Sequence, residues 1–136
     1  MSDGDKPVIR VVTAEILRDG GYLITQRPAK AVLPLLWEFP GGRVHDHEDD
    51  ATALRRACRT RIGIDVEVRD LIMEVVHQYP EYAVTLAVYR CEVGALEPWA
   101  EGVAAIAWVS ADEFENYPFP GADQRTIEKL LASDYE

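Results

Sequence analysis

Acidic, basic and imidazole side chains are concentrated in one stretch of the chain, residues 45–61. It contains the histidines His45 and His47, the acidic run from Asp46 to Asp50, and four arginines. Carboxylates bind hard divalent cations, imidazoles bind ions such as Zn²⁺, and guanidinium groups bind phosphate oxygens in pairs. The residue types in this stretch therefore allow two kinds of site, a metal centre and a phosphate-binding pocket.

The spacing of the residues around this stretch is the specific signal. Phe39-Pro40-Gly41 leads into Gly42, and Glu48 follows six residues later. Arg56 comes eight residues after Glu48, and Gly63 comes seven residues after Arg56. This pattern resembles the Nudix box, the signature of a family that cleaves nucleoside diphosphates linked to another moiety.

The resemblance extends along most of the chain. Further segments look like the MutT branch of the family: Gln26-Arg27-Pro28, Leu36-Trp37-Glu38, Glu97-Pro98-Trp99, Glu101-Gly102 and Phe119-Pro120-Gly121-Ala122-Asp123. The resemblance implies the Nudix fold. This is an α+β architecture (an α/β/α sandwich) in which a mixed β-sheet packs against a box helix and a C-terminal helix.

The box segment is predicted to be helical. Asp49 or Asp50 can cap a helix that ends at Ile62, with Gly63 as its C-terminal stop. Apolar side chains recur every four residues and predict a buried stripe: Leu54, Cys58 and Ile62. The helix therefore presents one apolar face to a core.

Alternating and β-branched runs predict the strands that surround this helix. The predicted strands are Val8–Leu17, Tyr22–Gln26, Val66–Val76, Val84–Val93 and Val103–Val109. Ser110 begins a capping-box pattern for a short helix, and a final helix is predicted from Gln124 to Ala132. Strands with a central and a terminal helix indicate one α+β or α/β sandwich.

Composition limits the classes of protein that fit. A chain of 136 residues with 48% hydrophobic residues is expected to form a single domain over residues 1–136. The net charge of −10 argues against an extended nucleic-acid surface. No membrane span or secretory leader is apparent, so a cytoplasmic location is expected. Cys58 and Cys91 lie in apolar patterns and are expected to be reduced core residues.

The box departs from the family pattern at its metal-binding positions. The resemblance implies glutamates at positions 57, 60 and 61 that bind Mg²⁺ or Mn²⁺, but this chain has Ala57, Thr60 and Arg61. One permanent positive charge therefore replaces three carboxylates. Two unit charges about 4 Å apart interact by roughly 4 kcal/mol near a protein surface, and a divalent ion doubles that repulsion. We expect no metal cofactor on this helix face.

Two acids at family positions remain, Glu48 and Glu101. By the resemblance, Glu48 is the first glutamate of the box and Glu101 is a loop glutamate that assists the metal or the water. One interpretation is a reduced Mg²⁺ or Mn²⁺ site in which Glu48 is catalytic. The favoured interpretation is that Glu48 pairs with Arg56 or Arg59 and that Glu101 is a solvated acid.

His45 and His47 allow a different metal site. Side chains two residues apart in an extended loop point the same way and can share an ion such as Zn²⁺. Two histidines alone are a weak motif, so an exposed polar loop is favoured.

Six residues are the candidates for contact with a ligand: Gly42, Arg56, Arg61, Tyr82, Glu101 and Asp123. Arg61 either binds a phosphate or is a surface arginine paired with an acid. Tyr82 stands where the MutT pattern has a base-contacting arginine, and it either stacks on a ring or packs in the core. Asp123 either reads an amino group of a base or caps the last helix.

These observations lead to three hypotheses of function. The leading one is a protein that binds a nucleotide-like or phosphorylated small molecule, or a protein partner, with little or no metal-dependent hydrolysis. The second is a divergent, active NTP-type pyrophosphohydrolase that uses Mg²⁺ or Mn²⁺ with Glu48. The third is an interaction domain with a vestigial pocket. The sequence does not identify the ligand, and a homodimer stays open.

Overall fold

The computed structural model describes residues 6–121 and 124–131. Within these residues the chain forms seven strands, two α-helices and a short 3₁₀ helix at Ala111–Asn116. The strands are β1 (Val8–Arg18), β2 (Gly21–Gln26), β3 (Trp37–Glu38), β4 (Gly41–Arg43), β5 (Glu67–Gln78), β6 (Ala83–Glu92) and β7 (Ala105–Val109). The α-helices are α1 (Asp50–Ile62) and α2 (Gln124–Leu131).

The long strand β1 organises the sheet. It pairs parallel with β6 over Val8–Ile16 and antiparallel with both β2 and β4. The order along the sheet is β3-β2-β1-β6-β5, with β7 also paired to β2. The sheet is therefore mixed, as the α+β class predicted.

Helix α1 covers one face of this sheet. The Asp49 side chain accepts a hydrogen bond from the Thr52 backbone N–H, and Gly63 ends the helix with a left-handed φ of 74°. The predicted stripe is fully buried and packs with alternate residues of β1: Leu54, Cys58 and Ile62 against Val12, Ala14 and Ile16. The helix prediction and its apolar face are confirmed.

The other face of the sheet carries the alternate residues of the same strands. Val11, Thr13 and Glu15 of β1 point to this side, and α2 contributes Ile127 and Leu130 opposite them. Helices thus lie on both faces of the sheet, which is the layer arrangement predicted from the resemblance.

The main difference from the predicted elements is the presence of two short strands, β3 and β4, which were not among the five predicted. They are two and three residues long and lie on either side of Phe39 and Pro40. Periodicity needs a longer window than these strands provide. The five predicted strands, the Ser110 capping box and the terminal helix are confirmed to within a few residues. The predicted end of that helix at Ala132 lies outside the described residues.

None of the helices formed by the described residues has the length and hydrophobicity of a membrane-spanning segment.

Candidate functional site

A cavity of about 400 Å³ lies between the sheet and α2. Its walls are the outward residues of β1 and β6, Phe39 and the segment Phe119–Gly121, and strand β4 lines its floor. Most of the surface is apolar: Val11, Met73, Val84, Leu86, Val88, Ile127 and Leu130. A concave apolar cavity with few polar groups is the usual form of a small-molecule site.

Aromatic rings close one end of the cavity. The centroids of Phe39 and Phe119 are 5.8 Å apart, and each ring also contacts Phe114, at 5.7 and 6.0 Å. Such tilted and edge-to-face contacts hold the rings in place. The result is a rigid aromatic surface that is suited to a planar ring of a ligand.

A carboxylate on the cavity wall, Glu38, is held by a fully buried arginine. Arg27 has no exposed side-chain surface and donates from Nε to the Val32 carbonyl at 3.0 Å and from Nη1 to Glu38 at 3.2 Å. A buried guanidinium needs such partners because its charge is removed from water. The pair fixes an acceptor at the cavity wall and also anchors the loop between β2 and β3.

Arg27 and Glu38 were not among the site residues predicted from the sequence. Their contact depends on the pairing of β2 with β3, which brings Gln26 opposite Trp37 and Thr25 opposite Glu38. The only sequence signal was their place in the segments that resemble MutT.

Strand β4 forms the floor of the cavity near α1. Gly41 and Gly42 are buried, and a Cβ on Gly41 would lie 2.1 Å from the Val12 carbonyl oxygen. Only glycine allows this close approach to β1. Gly42, one of the predicted ligand contacts, lines the cavity.

Two arginines of α1 hold β4 from the opposite side. Arg56 Nη2 donates to the Arg43 carbonyl at 2.8 Å, and Arg61 Nε donates to the Gly41 carbonyl at 2.7 Å. The Arg61 residue is only 4% exposed, so its interpretation as a surface arginine is wrong. Arg59 points away and pairs with Asp65, so the arginines of the box do not form one basic surface.

Glu48 is engaged by Arg56. Its two carboxylate oxygens accept from Arg56 Nε at 3.0 Å and Nη2 at 2.8 Å, and Oε1 also accepts from the His45 backbone N–H at 2.9 Å. The Arg56 hydrogen bonds, followed by the one from His45, lower the pKa of Glu48 from 4.5 to about 2. The expected pairing of Glu48 with an arginine is confirmed, and Arg56 is that partner.

The side chains at the metal positions of the family do not fit a divalent cation. Ala57 offers no ligand atom, Thr60 donates its hydroxyl to the Arg56 carbonyl, and Arg61 brings its charge to the Gly41 carbonyl. Octahedral Mg²⁺ needs several oxygen ligands around one point. Among the described residues no three acids, histidines or cysteines gather in such a group.

Glu101 adjoins the end of α1 through its backbone. Its N–H and that of Gly102 donate to the Arg61 carbonyl at 3.1 and 3.2 Å, while its carboxylate accepts from Trp99 Nε1 at 2.6 Å. The side chain is exposed, as the solvated-acid interpretation predicted. It therefore lies next to α1 without joining Glu48 in a described cluster.

The remaining candidates lie apart from the cavity or outside the described residues. Tyr82 is not among the lining residues and packs on Tyr79 with 5.1 Å between ring centroids. Burial is the main cause that raises the pKa of Tyr82. His45 and His47 are exposed. Asp123 lies outside the described residues, so both of its predicted roles stay predictions.

The architecture is an α+β sandwich with helices on both faces of a mixed sheet, and comparisons with known proteins identify the family. The family model for the NUDIX domain matches residues 12–129. The CTP pyrophosphohydrolase of Escherichia coli (strain K12) is 34% identical over 129 residues, which cover 92% of this chain and 93% of that protein. The 8-oxo-dGTP diphosphatase of Proteus vulgaris is 35% identical over 86 residues, 62% of this chain and 77% of that protein.

A solved structure agrees with these sequence matches. The E. coli ORF135 protein superposes with a TM-score of 0.75 at 30% identity and covers 97% of this chain and 94% of its own. The chain belongs to the Nudix hydrolase family and has MutT-like relatives. The predicted family and fold are confirmed.

Proposed function

We propose that this protein binds a nucleotide-like or phosphorylated small molecule in the cavity between the sheet and α2, with little or no metal-dependent hydrolysis. The observation that carries the proposal is the contrast between two neighbouring regions. The cavity has an apolar lining, an aromatic end and a fixed acceptor at Glu38. The adjoining helix face has Ala57, Thr60 and Arg61 where a divalent cation needs acids.

The lining supports a ligand with a planar ring. Phe39 and Phe119 offer an aromatic surface, and Glu38 can accept a hydrogen bond from a ring amino group. Arg43, which also lines the cavity, adds positive charge near the floor. The nucleotides of the cytoplasm would supply such a ligand. A protein partner, or a second copy of the chain, is the alternative binding partner that we propose if no small molecule binds.

Thermal-shift screening in the presence of a chelator tests this binding. Nucleoside mono-, di- and triphosphates are each added to the wild-type protein with EDTA, and stabilisation by at least one of them is expected. Leu86→Trp fills the cavity and should abolish that stabilisation. Leu71→Trp is the matched control, because Leu71 is exposed on the neighbouring strand and does not line the cavity.

Two results of this screen would count against binding in the cavity. If a nucleotide still stabilises folded Leu86→Trp against heat, the ligand binds outside the cavity. The absence of any shift in the wild-type protein would favour the interaction-domain hypothesis.

An active pyrophosphohydrolase is the second candidate, and the relatives favour it. The CTP pyrophosphohydrolase and the 8-oxo-dGTP diphosphatase are named for this reaction class. In this alternative the carboxylates of Glu48 and Glu101 bind Mg²⁺ or Mn²⁺. Incubation with a nucleotide panel and either metal tests it: turnover that is lost in Glu48→Gln would establish the alternative and overturn our proposal.

A further inference from the structure

Arg61 brings a permanent positive charge into the interior beside β4. The residue is 4% exposed, and its Nε lies 2.7 Å from the Gly41 carbonyl oxygen. A charge-assisted hydrogen bond of this length is stronger than one between neutral groups. Burying a guanidinium is costly, so its contact with a particular carbonyl indicates a structural role for the charge.

The Gly41 carbonyl is the point where the cavity floor meets α1. Gly41 is pressed onto β1, since a Cβ there would lie 2.1 Å from the Val12 carbonyl oxygen and 2.8 Å from the Thr13 Cα. Two residues further on, Arg56 holds the Arg43 carbonyl from the same helix. Carbonyls two residues apart in a strand point the same way. The strand is therefore held between β1 on one side and two arginines on the other.

Arg61 also joins the loop that follows β6. Its own carbonyl accepts from the N–H groups of Glu101 and Gly102, and a Cβ on Gly102 would lie 2.5 Å from the Thr60 carbonyl. One residue of α1 thus contacts the cavity floor through its side chain and this loop through its backbone carbonyl.

We propose that Arg61 is a positioning residue that replaces the divalent cation of the family: its fixed charge holds the Gly41 carbonyl, and so organises the cavity floor without a metal. The inference rests on the proposed function for the nature of the ligand, but not for the role of Arg61. Ala57 fits this role, because a small buried side chain beside Arg61 adds no charge to be neutralised.

Hydrogen exchange of backbone amides tests the local effect. In Arg61→Gln the amides of Gly42 to Val44 should exchange about ten- to a hundredfold faster than in the wild-type protein, from loss of one charged hydrogen bond. Amides in the middle of β6 serve as the internal reference. Arg59→Gln is the control, since Arg59 is exposed in the same helical turn and pairs with Asp65. It should leave the exchange at β4 unchanged.

Unchanged protection of Gly42 to Val44 relative to β6 in folded Arg61→Gln would overturn the inference. Arg61→Met provides a second neutral variant of similar size if Arg61→Gln does not fold, and the same two outcomes apply to it. A purely structural core position would lower protection across the whole sheet equally, which is also a contradicting result.

Metal rescue tests whether Arg61 acts as a substitute for a cation. In the variant Ala57→Glu/Thr60→Glu/Arg61→Glu, the fast exchange at β4 should return towards the wild-type rate when Mn²⁺ is added. The wild-type protein should show no such response. If Mn²⁺ does not slow the exchange at β4 in this variant, the inference that Arg61 replaces a cation is wrong. Metal-dependent turnover by the wild-type protein would instead overturn the proposed function and leave the exchange result standing.

Discussion

Replacing Glu48 with glutamine removes the negative charge that accepts hydrogen bonds from the Arg56 guanidinium and from the His45 backbone N–H. The structure gives Glu48 a side chain that is 14% exposed and Arg56 one that is 34% exposed, joined by two hydrogen bonds. A pKa lowered from 4.5 to about 2 sets an upper limit of about 3 kcal/mol, at about 1.4 kcal/mol per pKa unit. Solvent screening at Arg56 reduces this, and we expect Glu48→Gln to lower the free energy of unfolding by about 1–2 kcal/mol at pH 7.

Urea denaturation at a series of pH values measures this difference. Because the folded state lowers the pKa of Glu48, the ionised carboxylate stabilises the fold above pH 4.5 and loses that effect as the pH falls towards 2. The gap between the wild-type protein and Glu48→Gln should therefore narrow below about pH 4.5. In thermal unfolding, the difference at pH 7 corresponds to roughly 3–7 °C for a chain of this size.

Asp65→Asn is the matched control for this prediction. Asp65 pairs with Arg59 at 2.6 Å, but the two side chains are 68% and 62% exposed. We expect a change below about 0.5 kcal/mol. Equal stabilities of Glu48→Gln and the wild-type protein at pH 7, or a stability difference that persists unchanged in acid, would show that the ion pair with Arg56 does not stabilise the fold.

Three further predictions follow from the packing around the site. Gly41→Ala should destabilise the protein by about 3 kcal/mol or more, because the added Cβ would lie 2.1 Å from a carbonyl oxygen; urea denaturation measures it, and wild-type stability would contradict it. Trp99→Phe should lower the free energy of unfolding by about 1 kcal/mol through loss of the Trp99–Glu101 hydrogen bond. In a Glu101→Ala background, which has no side-chain acceptor, the same substitution should cost less, and equal costs would show that the bond does not contribute. Burial raises the pKa of both thiols, to about 12 for Cys91, so neither Cys58 nor Cys91 should react with a thiol reagent at pH 8 until the protein is unfolded; fast reaction of the native protein would contradict their burial.

Local signals were enough to predict α1 and the strands of the sheet. The helix has a capping acid, a glycine stop and a four-residue apolar repeat, and these act within one segment. The spacing of the glycines and of Arg56 in the box predicted the family, because this pattern also lies within one continuous segment. Strand β4 was missed because its formation depends on contact with β1 and not on its own sequence.

The arrangement of the site depended on contacts between distant segments. The sequence left two interpretations of Arg61 open, and only the packing of α1 on β4 shows that its charge is buried at Gly41. The Arg27–Glu38 pair likewise forms only when β2 and β3 align. For Glu48, in contrast, the pairing with Arg56 was predictable, since both belong to one motif with fixed spacing.

Ligand binding and the absence of metal-dependent hydrolysis can be measured in one experiment. Phosphorus-31 NMR of nucleoside triphosphates mixed with excess protein and Mg²⁺ reports binding and cleavage in the same spectrum. We expect shifted or broadened phosphate signals for the ligand that binds, with all three phosphates retained over prolonged incubation. Release of pyrophosphate by the wild-type protein, abolished in folded Glu48→Gln, would instead show metal-dependent hydrolysis and overturn the proposed function.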